Sequence, residues 1–340
     1  MRTVAATAVL AASLAALAPS HASAAPVYTF VNFDVPSATG GTNAFSINDA
    51  GQIVGYFDIL FEGRFRSAQG FLRDPVSGGF TTLTGLPGDN TYAYGINNAG
   101  QVVGSSGVQG FLRDTVSGSY TPLTGPTGTS GIRAAGINGA GQIVGSYENS
   151  SSPYTQDFLR DPANGSYTTL SLPAGAFSAY AQGINDAGQV VGSYYADGSS
   201  YAQGFLRDPA NGTYATLNIP AGTNSILAYS INNAGQIVGS SYSYKYGLSE
   251  GLLRDVDGTY TIISDPAGPS STSAYGINNA GQIVGSYRDG TGTHGFVATP
   301  AATAVPEPAS LMLFGTGLFG LRLVRRRRSA AWARSRRVRP

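Results

Sequence analysis

The amino-acid sequence predicts an all-β protein, a six-bladed β-propeller of four-stranded blades closed by an N-terminal strand, with an N-terminal signal peptide and a C-terminal anchor helix. Three observations predict the propeller. One phrase recurs six times, each copy carries several runs of strand length, and the run that the last copy lacks stands at the front of the chain. Gly accounts for 47 of the 340 residues and charged residues for only 11%, which favours short strands joined by tight turns.

The chain opens with a targeting segment. Arg2 precedes a mostly apolar run over 4–18, and the small residues Ala-Ser-Ala follow at 22–24. This order of charged, apolar and cleavable parts predicts a secretory signal peptide over 1–24. The alternative, an N-terminal anchor helix, would need roughly 20 apolar residues. His21 falls in the signal peptide, so the exported body keeps one histidine, His294.

A repeated phrase occupies the middle of the chain. Ile-Asn-x-Ala-Gly-Gln-(Ile/Val)-Val-Gly, or a near copy, begins at Ile47, Ile96, Ile137, Ile184, Ile231 and Ile277. The copies are 41 to 49 residues apart. A period of this length indicates a propeller or a solenoid, here over 25–298.

Each copy contains runs that read as four strands. In the second copy the first two are centred on Ile96 and on 101–104, and Asn97-Asn98-Ala99-Gly100 between them is typical of a tight turn. A Phe-Leu-Arg-Asp run and a Tyr-Thr-rich run supply the third and fourth strands, and both are rich in strand-forming residues.

The count of fourth strands favours a closed ring. The sixth copy runs into a linker at 299–304 without a fourth strand, whereas 28–36 at the front resembles the fourth strand at 214–220. We therefore expect the first strand to complete the last blade, which removes exposed sheet edges. An open β-solenoid remains the alternative, although it gives no reason for the displaced strand. The repeats resemble the bacterial extracellular HAF family over about 43–297, a family defined by its repeats and without an agreed activity.

The C-terminal region, 305–340, has three parts. Val305, Pro306, Glu307 and Pro308 are followed by an apolar stretch over 309–321 and by four consecutive arginines at 325–328. Basic residues beside an apolar segment stay cytoplasmic, so the body is expected outside that membrane. This tail resembles the PEP-CTERM sorting signal. The resemblance implies a transmembrane segment, export, transient anchoring in the inner membrane, cleavage by an exosortase-type peptidase and a place among extracellular polysaccharides. Twelve residues follow the arginines, a departure from the usual pattern.

Charge and composition exclude several functions. Ten of the 20 basic residues lie in the two terminal segments, and the body that remains carries a net charge of about −8. A nucleic acid partner is therefore not expected. The chain has no cysteine, so disulfides and thiol catalysis are excluded. We expect no cofactor and no metal, because the calcium-like start at 255–258 lacks the remaining ligands.

Repetition also argues against catalytic roles for most polar residues. His294 is predicted to be a solvated loop residue. Arg-Asp pairs recur in five copies, and we interpret them as turn caps or bridges between blades, because an active site is normally unique. The repeated Asn of the phrase is interpreted in the same way, as a turn former.

The variable segments carry the predicted ligand contacts. They join the second and third strands, and they are rich in tyrosine, whose rings suit sugars or protein surfaces. The candidate binding residues are Tyr147, Tyr154, Tyr194, Tyr195, Tyr201, Tyr242, Tyr244, Tyr246 and Tyr287. The sequence thus predicts a non-enzymatic protein of the cell surface or extracellular matrix that binds neutral or cationic polysaccharide or a surface protein. A polysaccharide hydrolase or lyase on the same fold and a purely structural matrix protein are the alternatives.

Overall fold

The structure is a computed structural model that describes residues 27–84, 90–149, 155–243, 247–268 and 271–301. These ranges contain 24 β-strands and no helix. Among them, no helix is therefore long and apolar enough to cross a bilayer. The predicted signal peptide, anchor helix and sorting motif (Val305, Pro306, Glu307 and Pro308) lie outside the described residues.

The strands follow one another in short meanders along the chain. The first twelve are β1 (Tyr28–Phe33), β2 (Gly41–Ile47), β3 (Ile53–Phe61), β4 (Arg64–Arg73), β5 (Phe80–Thr82), β6 (Thr91–Ile96), β7 (Gln101–Ser106), β8 (Gln109–Asp114), β9 (Tyr120–Leu123), β10 (Thr129–Ile137), β11 (Ile143–Asn149) and β12 (Gln156–Arg160). The last twelve are β13 (Tyr167–Thr169), β14 (Ala176–Ile184), β15 (Val190–Ala196), β16 (Ala202–Arg207), β17 (Tyr214–Thr216), β18 (Ser225–Ile231), β19 (Ile237–Ser243), β20 (Leu248–Arg254), β21 (Tyr260–Ile263), β22 (Thr272–Ile277), β23 (Ile283–Arg288) and β24 (Thr293–Pro300).

The sheets form a propeller-like all-β arrangement. Strands β6–β9, β10–β13, β14–β17 and β18–β21 make four separate four-stranded sheets. The other eight strands form one sheet of order β22-β23-β24-β2-β3-β4-β5, with β1 beside β24. The prediction of six separate four-stranded sheets is therefore corrected to four plus one larger sheet. The larger sheet arises because a parallel pair, Gly41 with Thr293, connects β2 to β24.

The N-terminal strand pairs with the last strand of the chain. β1 runs antiparallel to β24 over six residue pairs, from Tyr28 with Pro300 to Phe33 with Gly295. Phe30 packs its ring 5.5 Å from that of the fully buried Phe296. The displaced strand predicted from the sequence thus closes the sheet edge that β24 would otherwise expose.

The repeated glycine of the Val-Gly pair is required by close backbone approach. A Cβ built on Gly104 in β7 would lie 2.0 Å from the carbonyl oxygen of Tyr92 in the neighbouring strand and 2.7 Å from the Phe111 ring. Phe111 and its counterparts in other copies fill the core against such glycines. These counterparts, all at most 1% exposed, are Phe71, Phe158, Phe205 and Phe296.

A ring of six asparagines links the inner strands around the axis. The buried Asn97 accepts the backbone N–H groups of Ala99 and Gln101 at its own turn, and its Nδ2 donates to the carbonyl oxygen of Asn138 at 3.0 Å. The same donation to the next copy recurs at every member. The links join Asn48 to Asn97, Asn97 to Asn138, Asn138 to Asn185, Asn185 to Asn232, Asn232 to Asn278 and Asn278 back to Asn48. The interpretation of this asparagine as a turn former is confirmed, and it additionally closes the ring.

The aspartates of the Arg-Asp pairs cap the turns that follow the third strands. Asp74 Oδ1 accepts the backbone N–H groups of Val76 and Ser77. The Arg73 guanidinium lies 4.9 Å from the Phe33 ring, and within the described ranges neither residue forms an ion pair. The turn-cap half of the prediction is therefore confirmed, and at Arg73 the guanidinium also contacts a strand outside its own meander, β1.

The antiparallel meanders give the domain two faces. The Asn face carries the asparagine ring together with the connections from third to fourth strands, such as 74–79. The variable face lies at the opposite ends of the strands and carries the connections from second to third strands, such as Gly107 and Val108 between β7 and β8.

Candidate functional site

An arc of aromatic rings lines one side of a pocket between the innermost strands of the repeats, which we call the central channel. Phe45 of β2 stacks on Tyr275 of β22 with ring centroids 4.5 Å apart, and it meets Tyr94 of β6 edge-on at 5.4 Å. Tyr229 of β18 extends the arc, 4.9 Å from Tyr275. These four residues stand three positions before the ring asparagine in their copies. Burial is the main cause that raises the pKa of Tyr229, so this hydroxyl stays protonated at neutral pH.

The arc is interrupted where two copies depart from the pattern. β10 and β14 carry Ala135 and Gln182 at the same position. The small Ala135 leaves space for Arg133, two residues earlier on β10. The Arg133 guanidinium lies 3.9 Å from the centroid of the Tyr94 ring, and its Nη1 donates to Gln182 Oε1 at 2.9 Å.

Arg133 gives the channel its asymmetry. Among the six innermost strands, β2, β6, β10, β14, β18 and β22, it is the one charged residue. The Arg133 guanidinium has five N–H groups, and within the described part of the chain it forms one hydrogen bond, to Gln182. Arg133 can therefore donate further hydrogen bonds to a molecule that enters beside it.

A cavity of about 560 Å³ adjoins Arg133 on the variable-face side. This volume lies in the range typical of small-molecule sites. Its wall includes Ser105, Arg133, Ser146, Glu148, Tyr180 and Gln182. The two-residue connection between the short strands β7 and β8 forms its rim. Glu148 is exposed, whereas Arg133 and Tyr180 are half-buried, so the cavity has an acceptor at its mouth and a donor at its base.

A buried carboxylate lies behind this cavity. Asp157 of β12 is 4% exposed and is the cross-strand neighbour of Ser146, which lines the cavity. Its Oδ1 atom has no hydrogen-bond partner. Burial raises the pKa of Asp157 to about 7, although a hydrogen bond from the Ala181 backbone and the charge of Arg133 act to lower it. Asp157 is therefore partly protonated at neutral pH.

Asp157 is another departure from the repeat. The other five copies have Gly at its position: Gly70, Gly110, Gly204, Gly251 and Gly295. The side chain fits because the facing position on β14 is Ala179, where the equivalent residue in β10 is Ile132. Sequence reasoning missed both Arg133 and Asp157, and a position-by-position comparison of the six copies would have identified them.

Three of the predicted binding tyrosines are buried, and one of them, Tyr147, also lines the cavity beside Arg133. Tyr147 and Tyr194 are 4% and 6% exposed. Each hydroxyl is bonded inside its own sheet, that of Tyr147 to Gln156 and Thr169 and that of Tyr194 to Gln203 and Thr216. Tyr287, 6% exposed, accepts a hydrogen bond from Asn32. Their placement on variable loops is corrected, because side chains of second strands point alternately into the core.

The other predicted tyrosines divide into two groups. Tyr195 is half-buried beside Phe177, and Tyr201 and Tyr242 are 39% and 37% exposed on the variable face. A binding role for these three stays a prediction. Tyr154, Tyr244 and Tyr246 lie outside the described residues.

His294 is part of a polar cluster at the junction of β1 and β24. Its side chain is 19% exposed, which corrects the prediction of a solvated loop residue. Nδ1 lies 2.9 Å from Asp34 Oδ2, Nε2 lies 3.2 Å from Asp289 Oδ1, and the ring stacks on Tyr287. Burial lowers the pKa of His294, but the hydrogen bonds and charges of the two aspartates outweigh it and raise the pKa above its ordinary value.

Comparison with known proteins identifies the sorting signal and the fold. The PEP-CTERM protein-sorting motif matches residues 304–328. The match implies export, transient anchoring in the membrane and processing by an exosortase. No curated protein matches the chain.

Solved structures that resemble the chain share its fold at low identity. A TolB structure from Agrobacterium tumefaciens is 12% identical, with a TM-score of 0.50, and the match covers 74% of this chain and 79% of that one. TolB from Acinetobacter baumannii is 12% identical with a TM-score of 0.49, covering 78% of this chain but 65% of that one. Oligogalacturonate lyase from Vibrio parahaemolyticus is 9% identical with a TM-score of 0.48, covering 82% and 97%. The chain thus carries a sorting signal that implies export, and it contains a propeller-like β domain.

Proposed function

We propose that this protein is a non-enzymatic binding protein whose site is the cavity beside Arg133, and that its ligand is a neutral saccharide segment of an extracellular polysaccharide. The observation that carries the proposal is the asymmetry of the channel. A single guanidinium, held against Tyr94 and Gln182, lies where two neighbouring copies lack the aromatic residue of the other four. The contacts that hold the repeats together are made in every copy, so a residue found in one copy is not needed for them.

The polar groups around the cavity suit hydroxyl groups. Arg133 and Gln182 offer N–H donors, Glu148 offers carboxylate acceptors, and the Tyr180 ring offers an apolar surface with a polar tip. A sugar ring presents hydroxyls that both donate and accept, with apolar C–H groups between them. Donors at the base and an acceptor at the mouth therefore match a sugar better than they match a simple anion.

Charge argues for a neutral ligand. The body of the protein carries a net charge of about −8, and Glu148 and Asp157 lie near the single arginine. An anionic polymer would be repelled by this field, whereas a neutral one would not. Binding should consequently change little with salt concentration.

Affinity electrophoresis of the processed protein through gels containing the producer's own neutral exopolysaccharide tests the proposal. The variant Arg133→Gln removes the charged donor, and we expect a loss of about tenfold or more, because hydrogen bonds to charged groups contribute about 1.5–3 kcal/mol. Arg288→Gln is the matched control, because it removes the same charge from an exposed position on the variable face. Equal retardation of Arg133→Gln and the parent protein would exclude this cavity as the site.

The same material distinguishes binding from catalysis. Chromatography of the polysaccharide after long incubation should show an unchanged chain length. Shortened products would instead support the hydrolase or lyase alternative, and failure of the parent protein to bind any matrix component would support a purely structural role. Tyr195, Tyr201 and Tyr242 are secondary candidates at the rim of the variable face.

We also propose that the eight-stranded sheet acts as two blades, which gives six in total. The support is that the two halves, β22-β23-β24-β1 and β2-β3-β4-β5, share the single parallel pair Gly41 with Thr293. Six asparagines, one from each repeat, occupy equivalent places in the ring.

A further inference from the structure

The described chain ends on the Asn face. β24 runs antiparallel to β23, and its residue Ala298 pairs with Ile283, five positions after the ring residue Asn278. Beyond it, the Ala301 N–H donates to the Val27 carbonyl oxygen at 2.7 Å. The tail that carries the sorting motif therefore leaves from the face with the asparagine ring.

The candidate cavity opens on the opposite face. Its rim includes Gly107 and Val108, between β7 and β8, and Glu148 near the end of β11. The two faces are separated by the length of the strands. The eight residues of β24 span about 26 Å at the rise of a β-strand.

The connection to the anchor is short compared with that distance. Seven residues, 302–308, separate Ala301 from the apolar stretch that begins at Ala309. From Ala301 to Ala309 the eight Cα–Cα steps reach at most about 29 Å when fully extended. A tail of this length would have to be almost fully extended along one blade to enter a membrane at the variable face, whereas it reaches a membrane at the Asn face without being stretched.

We infer that the anchored precursor holds its Asn face against the bilayer surface and presents its variable face, with the cavity, away from it. The Asn face also carries the most exposed apolar side chains of the described domain. Val76 and Val116, at the turns after β4 and β8, are 94% and 90% exposed. These side chains can rest in the interfacial region of the bilayer while the tail is intact.

This arrangement leaves the cavity open before cleavage. Ligand can therefore reach the protein while it is still anchored, and exosortase processing releases a domain that is already able to bind. The proposed orientation of the anchored precursor depends on the tail and on the strand topology. It can therefore be tested independently of the saccharide proposal.

Fluorescence quenching in the uncleaved full chain tests the orientation. Because the chain has no cysteine, the single variants Val76→Cys, Val116→Cys and Val108→Cys each place one dye, and Thr303→Cys marks the tether. The labelled precursor is reconstituted into zwitterionic phosphatidylcholine vesicles that contain head-group spin-labelled lipid, so that the net negative charge of the body is not repelled. Val108 is a suitable control for the variable face, because it is 72% exposed.

We expect strong quenching at positions 303, 76 and 116, with at least about threefold weaker quenching at 108. Proteolytic removal of the tail should abolish quenching at all positions. Quenching at 108 equal to or stronger than that at 76 and 116 would overturn the inference, as would quenching confined to position 303 or absent at every position.

Discussion

The side-chain amide of Asn278 donates a hydrogen bond to the backbone carbonyl of Asn48 across a separation of 230 residues, at 3.1 Å. Both residues are 3% exposed. This bond is the last of six equivalent links, and it joins the end of the repeat array to its beginning.

Replacement of Asn278 by Ala should destabilise the domain by about 1–3 kcal/mol, because the Ala280 and Gln282 N–H groups lose their acceptor and the Asn48 carbonyl keeps the Gly51 N–H as its remaining donor. Asn211→Ala is the matched control, since Asn211 bonds only within an exposed turn. The free energy of unfolding of both variants is measured by urea titration, with tyrosine fluorescence as the signal. Equal destabilisation by the two variants would contradict a special role for the ring.

Phe30 and Val31 test closure by the first strand. Phe30→Ala removes packing against Phe296, and we expect a loss of roughly 2 kcal/mol or more. Val31→Ala alters the opposite side of the same strand, where Val31 is 57% exposed, and should change stability by less than about 0.5 kcal/mol. Calorimetry should show one transition in each case, lowered for Phe30→Ala. An unchanged transition in a chain lacking 28–36 would show that β1 is dispensable.

His294 should make stability depend on pH. Its pKa is raised in the folded state, so the protonated ring is favoured by folding. The stabilisation is complete below the ordinary pKa of His, given as 6.5, and is lost as the pH rises through the higher value of the folded state.

The variant His294→Gln isolates this effect, because Gln156 and Gln203 occupy the equivalent place in other repeats. We expect its unfolding free energy to vary less between pH 6 and pH 8 than that of the parent, as measured by urea titration at each pH. A parent protein that is equally stable, or more stable, at pH 8 would disprove the stated role of Asp34 and Asp289.

Asp157 should also make the domain less stable as the pH rises. The cause is different, because burial rather than ion pairing raises its pKa. Its pKa is about 7 in the folded protein and 3.8 in the reference state, so the folded chain binds the additional proton between these values. Stability should therefore fall as the pH rises from about 4 to about 7, by about 2–4 kcal/mol, and level off above. The charges that act on this carboxylate are those of Arg133 on β10 and, when ionised, Tyr214 on β17.

Asp157→Asn should flatten that part of the profile, whereas Asp197→Asn, at an exposed turn, should leave it unchanged. Thermal unfolding in His294→Gln backgrounds separates the two titrations. A persistent slope in Asp157→Asn would assign the slope to another group.

The strand pattern was predictable because the repeat supplies six independent observations of the same local physics. Gly100 has a φ of 74°, as its turn requires, and Phe111 packs where β-branched and aromatic residues alternate. The absence of a fourth strand from the sixth copy also predicts that β1 pairs with β24. The pair that merges two groups of strands, Gly41 with Thr293, depends on the approach of two distant segments, and no local pattern encodes it.

The candidate site was not predicted for a related reason. Repeated positions indicate structural roles, and the most visible variation between copies lies in the loops. Arg133 and Asp157 instead lie on regular strands, where a single copy departs from the others. The burial of Tyr147 and Tyr194 is not predictable in this way, because alternation near the end of a strand does not show which residue is the last to point inward.

The hydrogen bond between Ala301 and Val27 has a consequence for engineering. Because the two ends of the described domain touch, a short linker could join them, and the chain could be opened at another exposed connection. Such circular permutants would move the sorting tail to a different connection while keeping every inter-repeat contact. The position of the new termini would then determine which face of the domain points away from the cell surface.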